Sequence, residues 1–470
     1  MEQQHHNKGQ WSSSFGFLMA AIGSAVGLGN LWGFPYKMGM NGGFAFLLLY
    51  LILVAFVGFV ITTGELALGR RSGKGVVDAF KSIDSKYGFI GWFAWISPLL
   101  ILGFYSMLGG YCIKYAIANL GDFFGASWGV NGMDSGEYFT AFFTNQFQTA
   151  LFTVIFIILT WLIVKGGVSG GIEKFTKVAM PALFVMLVIV IIRSVTLPGA
   201  SEGIAFMFKP NWDVFQGSGF ISVLAAAGGQ MFFSLSLGMG ITVTYGSYMK
   251  KSENIERNAI IVPLADTIIA IMAGLAVMPA VFASGLNPAG GPGLLFVTLQ
   301  TVFQAMGGFG PIFGFILYGL VFIAAITSSI ALLEAVSSVI MDRKLDKDPN
   351  ADKKSVRNKS VLLVTAIVLI EGIFVSIDGL GANGLPQIFG QGCWLDSFDL
   401  ISEGILMPLG ACYMAIILPN SFVDEELTLE GNKFRTRKFY DFCIKFIAPL
   451  MMVLVLLGQI DSFFKLGIFG

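Results

Sequence analysis

Long uncharged apolar runs constrain this chain more than any other feature. Gly43–Gly64 and Phe309–Leu333 hold no Asp, Glu, Lys or Arg over 22 and 25 residues. Roughly 20 apolar residues cross the hydrocarbon core of a bilayer as one helix, which pairs its own backbone N–H and C=O groups. Such segments fall near 14–38, 43–69, 89–121, 149–164, 175–193, 218–248, 257–284, 309–341, 360–377, 398–418 and 440–460, eleven in all. Only 12% of the 470 residues are charged, where a soluble domain carries about a quarter. The chain reads as an all-α integral membrane protein with eleven transmembrane helices in a lipid bilayer.

The charges orient these segments. "GRRSGKG" (69–75), Lys165, Lys174 and Lys177, "KKSENIER" (250–257), the linker 343–359 and "KFRTRK" (433–438) fall in alternate loops. Gly121–Thr149, Ser284–Gly308 and Gly379–Leu395 contain no Lys or Arg. The positive-inside rule makes the basic loops cytoplasmic. The expected topology in a plasma (inner) membrane therefore has the N-terminus inside and, with an odd span count, the C-terminus outside. No cleavable signal is expected, because the polar opening residues lead into a segment that runs on as a span. His5 and His6 sit in that polar tail and read as solvated. Cys112, Cys393, Cys412 and Cys443 lack metal spacing, and only Cys393 falls in an outer loop, so no disulfide is expected. Net charge is zero, and no basic patch calls for nucleic acid.

Two apolar segments are interrupted by glycine: 14–38 through "GSAVGLGNLWGFP" (23–35), and 218–248 through "SLSLGMGIT" (234–242). The uncharged run Val214–Met249 has 36 residues, about 54 Å as continuous helix, too long for one straight span. These are the first segments of two five-helix halves, 12–193 and 214–418, with 440–460 as an additional helix. An odd number of spans per half makes the halves inverted repeats. Interrupted helices at matching places in two halves point to a transporter site near the membrane midplane. A broken helix frees carbonyls, which suit a hard cation, and N–H groups, which suit a carboxylate. Close helix packing through small residues is the competing explanation for the glycines.

"GSAVGLGNLWGFP", "NGGFAF" (41–46), "GIEKFTKVAMP" (171–181), "GQMFFSLSLGMG" (229–240), "VTYGSYMKK" (243–251) and "AAITSSIALLE" (324–334) occur in order along the chain. Together they resemble the neurotransmitter:sodium symporter family, of which bacterial members often have eleven helices. The resemblance implies a leucine-transporter-type 5+5 inverted-repeat fold, with helices 1 and 6 unwound at mid-membrane, and sodium-driven import of amino acids or related solutes. It implies two Na+ sites. The first comprises the Ala25 carbonyl, Asn30, Ser234 and Asp266, completed by the substrate carboxylate. The second comprises carbonyls of Gly23, Val26 and Ala324 with the hydroxyls of Thr327 and Ser328. All are oxygen donors, as a hard cation requires. For the substrate it implies Tyr105 and the N–H groups near Gly27 at the carboxylate, with Phe233 as a lid. Ser24, Ala25, Ile101, Ser234, Ser236, Met239, Ser328 and Leu332 complete the lining. No charged side chain is among these, so a neutral, apolar or aromatic amino acid is expected.

Asp266 is informative without any relative. It interrupts "IIVPLADTIIAIMAGLAV", where a carboxylate costs about 2.5–3.5 kcal/mol on insertion scales unless it is paired. A structural, hydrogen-bonded acid is the alternative to an ion ligand. Many animal relatives carry asparagine at this position and need chloride. An aspartate supplies the negative charge itself, so no chloride requirement is expected. Glu65 and Glu334 are expected to anchor unwound backbone rather than carry protons.

For gating, the resemblance places Lys8 and Trp11 before helix 1, against Tyr248 and Asp342 on the inner side. The Gly171–Pro181 spacing resembles a motif that lets helix 5 unwind. The outer gate departs from the family. Gly33 stands where arginine is usual, while the partner aspartate, Asp399, remains. Lys37 lies one turn further along the same face, and Lys37 or water is expected to close the gap; a substrate group reaching into the space left by glycine is the alternative. The chain thus reads as a sodium-coupled symporter and not an enzyme, since no metal set or nucleophile–base pair is present. A sodium-coupled carrier of another small solute (an osmolyte or amine), a channel and a transport-silent amino-acid sensor remain as alternatives.

Overall fold

The computed structural model describes residues 10–217, 219–288, 293–464 and 466–468. Among them every regular element is helical. In chain order these are α1 (Ser14–Ala25), α2 (Gly29–Met40), α3 (Phe44–Ser72), α4 (Val76–Lys81), α5 (Ser85–Phe123), α6 (Ser135–Phe143), α7 (Gln146–Lys165), α8 (Val168–Val195) and α9 (Ala200–Phe208). There follow α10 (Gly219–Ser234), α11 (Ile241–Ser247), α12 (Ile255–Ala283), α13 (Leu294–Ala305), α14 (Gly307–Lys347), α15 (Lys353–Ile377), α16 (Trp394–Ile417), α17 (Asn420–Leu427) and α18 (Arg437–Phe464).

Nine of these are long and apolar enough to span a bilayer, and the bent pair α1–α2 makes a tenth. The sequence leads to eleven. The shortfall is the segment 218–248, which forms two short helices, α10 and α11, separated by six non-helical residues. Neither piece alone is long enough to cross. The glycines that interrupt this segment are what remove it from the count.

The longest helices, α5 and α14, have 39 and 41 residues and make the most extensive contact in the molecule. At 1.5 Å per residue each is about 60 Å long, more than the hydrocarbon core of a bilayer needs, and α14 runs on into the charged stretch 342–347. Glycine brings α3 and α11 into backbone contact. A Cβ at Gly69 would lie 2.0 Å from the Val243 carbonyl, and one at Gly246 would lie 2.7 Å from the Leu66 carbonyl. Small residues permit such an approach where larger ones cannot. The contact places Glu65, on α3, beside the break between α10 and α11.

Candidate functional site: two broken helices around a central cavity

The first break follows Ala25. Val26 leaves the helix at φ −76°, ψ 101°, and α2 opens with a widened, π-type turn over Gly29–Gly33. The two helices meet at 45°. The Gly27 N–H donates to Asn30 Oδ1 at 2.9 Å, and the Leu28 N–H donates to the Tyr105 hydroxyl at 3.0 Å. The second break, 235–240, contains Ser236, Gly238 and Gly240 at φ values of 56°, 73° and 71°. Ser236 is a non-glycine residue in the left-handed region, a conformation that costs roughly 1–3 kcal/mol and persists where neighbours over-determine it. Its hydroxyl donates to the Ser24 carbonyl at 3.1 Å, which ties the two breaks together.

Asp266, on α12, is fully buried and accepts from three side chains. Asn30 Nδ2 donates to Oδ1 at 2.7 Å, Ser234 Oγ lies 3.0 and 2.9 Å from the two oxygens, and the Tyr50 hydroxyl donates to Oδ2 at 3.0 Å. The structure thus brings Asn30, Ser234 and Asp266 together, while Ala25, at the end of α1, lines the adjoining central cavity. Tyr50 was missed in the sequence. The available signal was a phenol in the uncharged run 43–64, where a buried hydroxyl needs a partner.

A second set of oxygens lies between α1 and α14. Ser328 Oγ is 3.4 Å from the carbonyls of both Gly23 and Val26. Thr327 Oγ1 is 3.0 Å from the Ala324 carbonyl. All five expected second-site residues therefore gather in one place, and every oxygen is uncharged.

Between the two oxygen sets is a small cavity of about 20 Å³ lined by Ser24, Ala25, Gly27, Gly29, Ile101, Tyr105, Phe233, Ser236, Met239, Ile241, Ser328 and Leu332. Ten of the eleven residues expected at the substrate line it. Ser234 does not, because it turns to Asp266. Gly29 and Ile241 are additions. No charged side chain is in the lining. The Phe233 and Tyr105 rings lie 6.4 Å apart. Phe233 also lines a larger cavity of about 560 Å³, with Trp32, Gly33, Tyr36, Lys37, Gln230 and Asp399 among its walls. Phe233 is therefore the partition between vestibule and centre.

The vestibule corrects one expectation. Lys37 Nζ pairs with Glu403 Oε1 at 2.5 Å, not with Asp399. Asp399 and Glu403 are four residues apart, so both project to the same side, and the lysine stem from α2 reaches the second. Glu403 was not anticipated. On the opposite side, the Trp11 Nε1 donates to the Tyr245 carbonyl at 3.2 Å, and the Trp11 ring packs edge-on against Tyr245 and Tyr248. Asp342 Oδ2 accepts from the Gly75 N–H at 2.5 Å. Lys8 lies outside the described residues.

Glu65 meets its expectation as an anchor, accepting the Gly238 N–H of the second break at 2.8 Å. Glu334 does not hold unwound backbone. Arg357 grips it through two nitrogens at 2.5 and 3.1 Å, and the Tyr248 hydroxyl donates to it at 2.7 Å. At the start of α8, a π-type turn spans Val168–Glu173. Its buried Glu173 accepts from the Ser12 N–H at 2.8 Å and pairs with Lys177 at 2.6 Å. This contact joins the Gly171–Pro181 segment to the entry of α1.

Paired broken helices enclosing a small cavity within an all-helical, multi-span bundle define a membrane transporter. The family model described as the sodium:neurotransmitter symporter family matches residues 8–130 and 143–468, and this chain belongs to that family. The uncharacterized sodium-dependent transporter YhdH of Bacillus subtilis is 34% identical over 96% of this chain and 97% of its own length. An uncharacterized sodium-dependent transporter of Haemophilus influenzae is 32% identical over 98% of this chain and 100% of its own. The crystal structure of MhsT in complex with L-phenylalanine superimposes with a TM-score of 0.84 at 36% identity, covering 96% of this chain and 99% of that one. The protein is a multi-pass, sodium-dependent membrane transporter and not an enzyme.

Proposed function

We propose that the protein is a sodium-coupled symporter that imports a neutral amino acid with an apolar or aromatic side chain by alternating access. The observation that carries this reading is the central cavity itself. The Gly27 backbone and the Tyr105 hydroxyl line it on the one hand, and the apolar side chains of Ile101, Met239, Ile241 and Leu332 on the other, with no charged side chain among them. An amino-acid carboxylate suits the first and an apolar side chain the second. The phenylalanine named in the MhsT complex has that chemistry.

In this reading two Na+ ions travel as co-substrates. The first is held by Ala25, Asn30, Ser234 and Asp266 and completed by the substrate carboxylate, which makes ion and solute bind together. The second is held by Gly23, Val26, Ala324, Thr327 and Ser328. Both donor sets consist of oxygens, the chemistry a hard cation needs. The Asp266 carboxylate makes chloride dispensable. The split α10–α11 segment counts as the eleventh span. The halves 12–193 and 214–418 form the inverted repeat, with a cytoplasmic N-terminus and an external C-terminus in the plasma (inner) membrane.

Uptake of labelled amino acids by proteoliposomes, with and without an inward sodium gradient, tests this reading. Phenylalanine, tryptophan or leucine should accumulate only with the gradient, and replacing chloride by gluconate should leave the rate unchanged. Gradient-independent flux of many solutes would instead indicate a channel.

A further inference from the structure

A single charged residue, Lys114, interrupts the apolar stretch from Tyr87 to Gly121 that makes up most of α5. An ionisable side chain within a span is costly and calls for a partner or a task. Among the described residues Lys114 has neither a hydrogen-bond acceptor nor an ion pair. Its ammonium lies instead among three rings, 5.5 Å from the centroid of Tyr138 on α6 and 5.9 Å from those of Phe142 on α6 and Phe152 on α7. Ring faces attract a cation, but they do not take up the three N–H donors of an ammonium as an anion does. The Tyr138 hydroxyl is buried and also lacks a partner. Asp122, two turns along α5, is engaged elsewhere, accepting the N–H groups of Val130 and Asn131 at 2.9 and 3.0 Å. One cage thus carries two kinds of donor and no acceptor.

Its depth says what kind of acceptor it meets. Lys114 is nine residues beyond Tyr105, which lines the central cavity. At 1.5 Å per residue that is about 13.5 Å. With the cavity at the midplane, the lysine stands close to the edge of the hydrocarbon core, about 15 Å out. The lipid phosphates lie in the layer just beyond. The cage opens toward lipid, because Ile117, one turn on along the same face, and Phe147 and Leu151 on α7 are exposed.

We propose that Lys114 and Tyr138 form a binding site for the phosphate of an anionic glycerophospholipid, in the outer leaflet for the topology proposed above. The phosphate accepts from the ammonium and the phenol, and the acyl chains lie along Ile117, Phe147 and Leu151. A zwitterionic headgroup fits less well, since it brings a second cation to a cage that has no carboxylate free to meet it. The proposal goes beyond the transport reading and uses it only to set the depth and side of the site.

Dioleoyl phosphatidylglycerol is the probe. It is titrated in detergent micelles into the purified full-length protein while thermal unfolding is followed. The wild type should show a saturable rise in midpoint, larger than that given by dioleoyl phosphatidylcholine. Lys114→Met keeps an apolar stem without the charge and should weaken the apparent affinity about tenfold or more, as loss of a charged hydrogen-bond donor implies. Native mass spectrometry should show one fewer retained phosphatidylglycerol on that variant. Tyr138→Phe keeps the ring and should weaken the affinity about threefold, and Lys114→Arg should preserve it. Superimposable lipid titrations for the wild type and Lys114→Met overturn the proposal. So does a midpoint loss in Lys114→Met that is the same with and without lipid, the result if the ammonium only packs against the rings. An equal response to phosphatidylcholine would overturn the need for an anionic lipid. Inorganic phosphate, titrated alone, should leave the midpoint unchanged. A saturable rise that Lys114→Met abolishes would assign the cage to free phosphate and overturn the lipid as its source.

Discussion

The two helix breaks that frame the central cavity are held open in different ways. At the first, each freed group meets a neutral partner. The Gly27 N–H goes to Asn30 and the Leu28 N–H to Tyr105, while the Gly23 and Val26 carbonyls lie a long 3.4 Å from Ser328 Oγ. At the second, Gly238 is fixed by the Glu65 carboxyl at 2.8 Å, and three residues sit at positive φ. Neutral hydrogen bonds contribute only about 0.5–1.5 kcal/mol each, so a ligand can replace them at small cost. The left-handed geometry of the second break cannot be exchanged in that way. The first break is thus suited to be a working surface and the second to be its scaffold.

The largest effect is expected where the working surface meets the buried acid. Asp266→Ala removes the acceptor of Asn30, Ser234 and Tyr50 at once. Sodium-driven uptake should fall at least about a hundredfold, roughly 2.7 kcal/mol of lost stabilisation. Near-normal sodium-driven uptake by this variant would remove Asp266 from the ion path and with it the contrast between the breaks.

One glycine from each break sharpens the comparison. A Cβ at Gly27 would lie 2.4 Å from both Ser328 Oγ and the Tyr105 hydroxyl. Gly27→Ala should raise the half-saturating substrate concentration about tenfold or more with little change in thermal stability, because flexible hydroxyl ends can yield at some cost. Gly238 has φ +73°, and a Cβ there would meet the Met407 carbonyl at 2.3 Å. Gly238→Ala should lower the unfolding midpoint, since left-handed geometry alone costs an L residue about 1–2 kcal/mol. Equal loss of stability in both variants would mean that the breaks are equivalent.

Glu65 gives a smaller and more selective effect. Glu65→Ala leaves the Gly238 N–H buried without its acceptor, a loss of about 1–3 kcal/mol. Glu65→Gln keeps an oxygen for that N–H and should recover most of the stability and uptake. Failure of the glutamine to rescue would show that Glu65 does more than hold backbone.

What could be read from the sequence follows the range of each interaction. The breaks were legible because glycine clusters within uncharged runs are local signals, and Asp266 because a lone carboxyl in an apolar segment is anomalous by itself. Tyr50, Glu173, Arg357 and Glu403 were not legible in their roles. Their partners lie far along the chain, Lys37 and Glu403 being 366 positions apart and Ser12 and Glu173 161 apart. The choice of Asp399 over Glu403 for Lys37 illustrates this. Spacing of four places both acids on one helix face, and only packing decides which one a lysine on another helix reaches. Glu334 failed for the same reason, because Arg357 lies within the charged linker 343–359 and gave no sign that it turns back into the bundle.

The rim of the vestibule provides the finest test, and it sets a replaceable contact against a fixed one once more. Lys37 is 21% exposed and Glu403 6%, so the pair is neither a solvated surface bridge nor a fully dry one. Surface pairs contribute about 0–1 kcal/mol, and breaking a buried pair costs about 3–5 kcal/mol because one charge is left stranded. A partly screened pair belongs near the lower range. A double-mutant cycle of Lys37→Ala with Glu403→Gln, followed by thermal unfolding, should give a coupling of about 1 kcal/mol. The cycle of Lys37→Ala with Asp399→Asn should give a smaller coupling, since Asp399 lies in the field of Lys37 without the direct ion pair that Glu403 makes. Uptake extends the same test: Lys37→Ala and Glu403→Gln should change it alike, and Asp399→Asn should change it differently. Dominant coupling of Lys37 to Asp399 instead would restore the substitute gate pair that the sequence suggests.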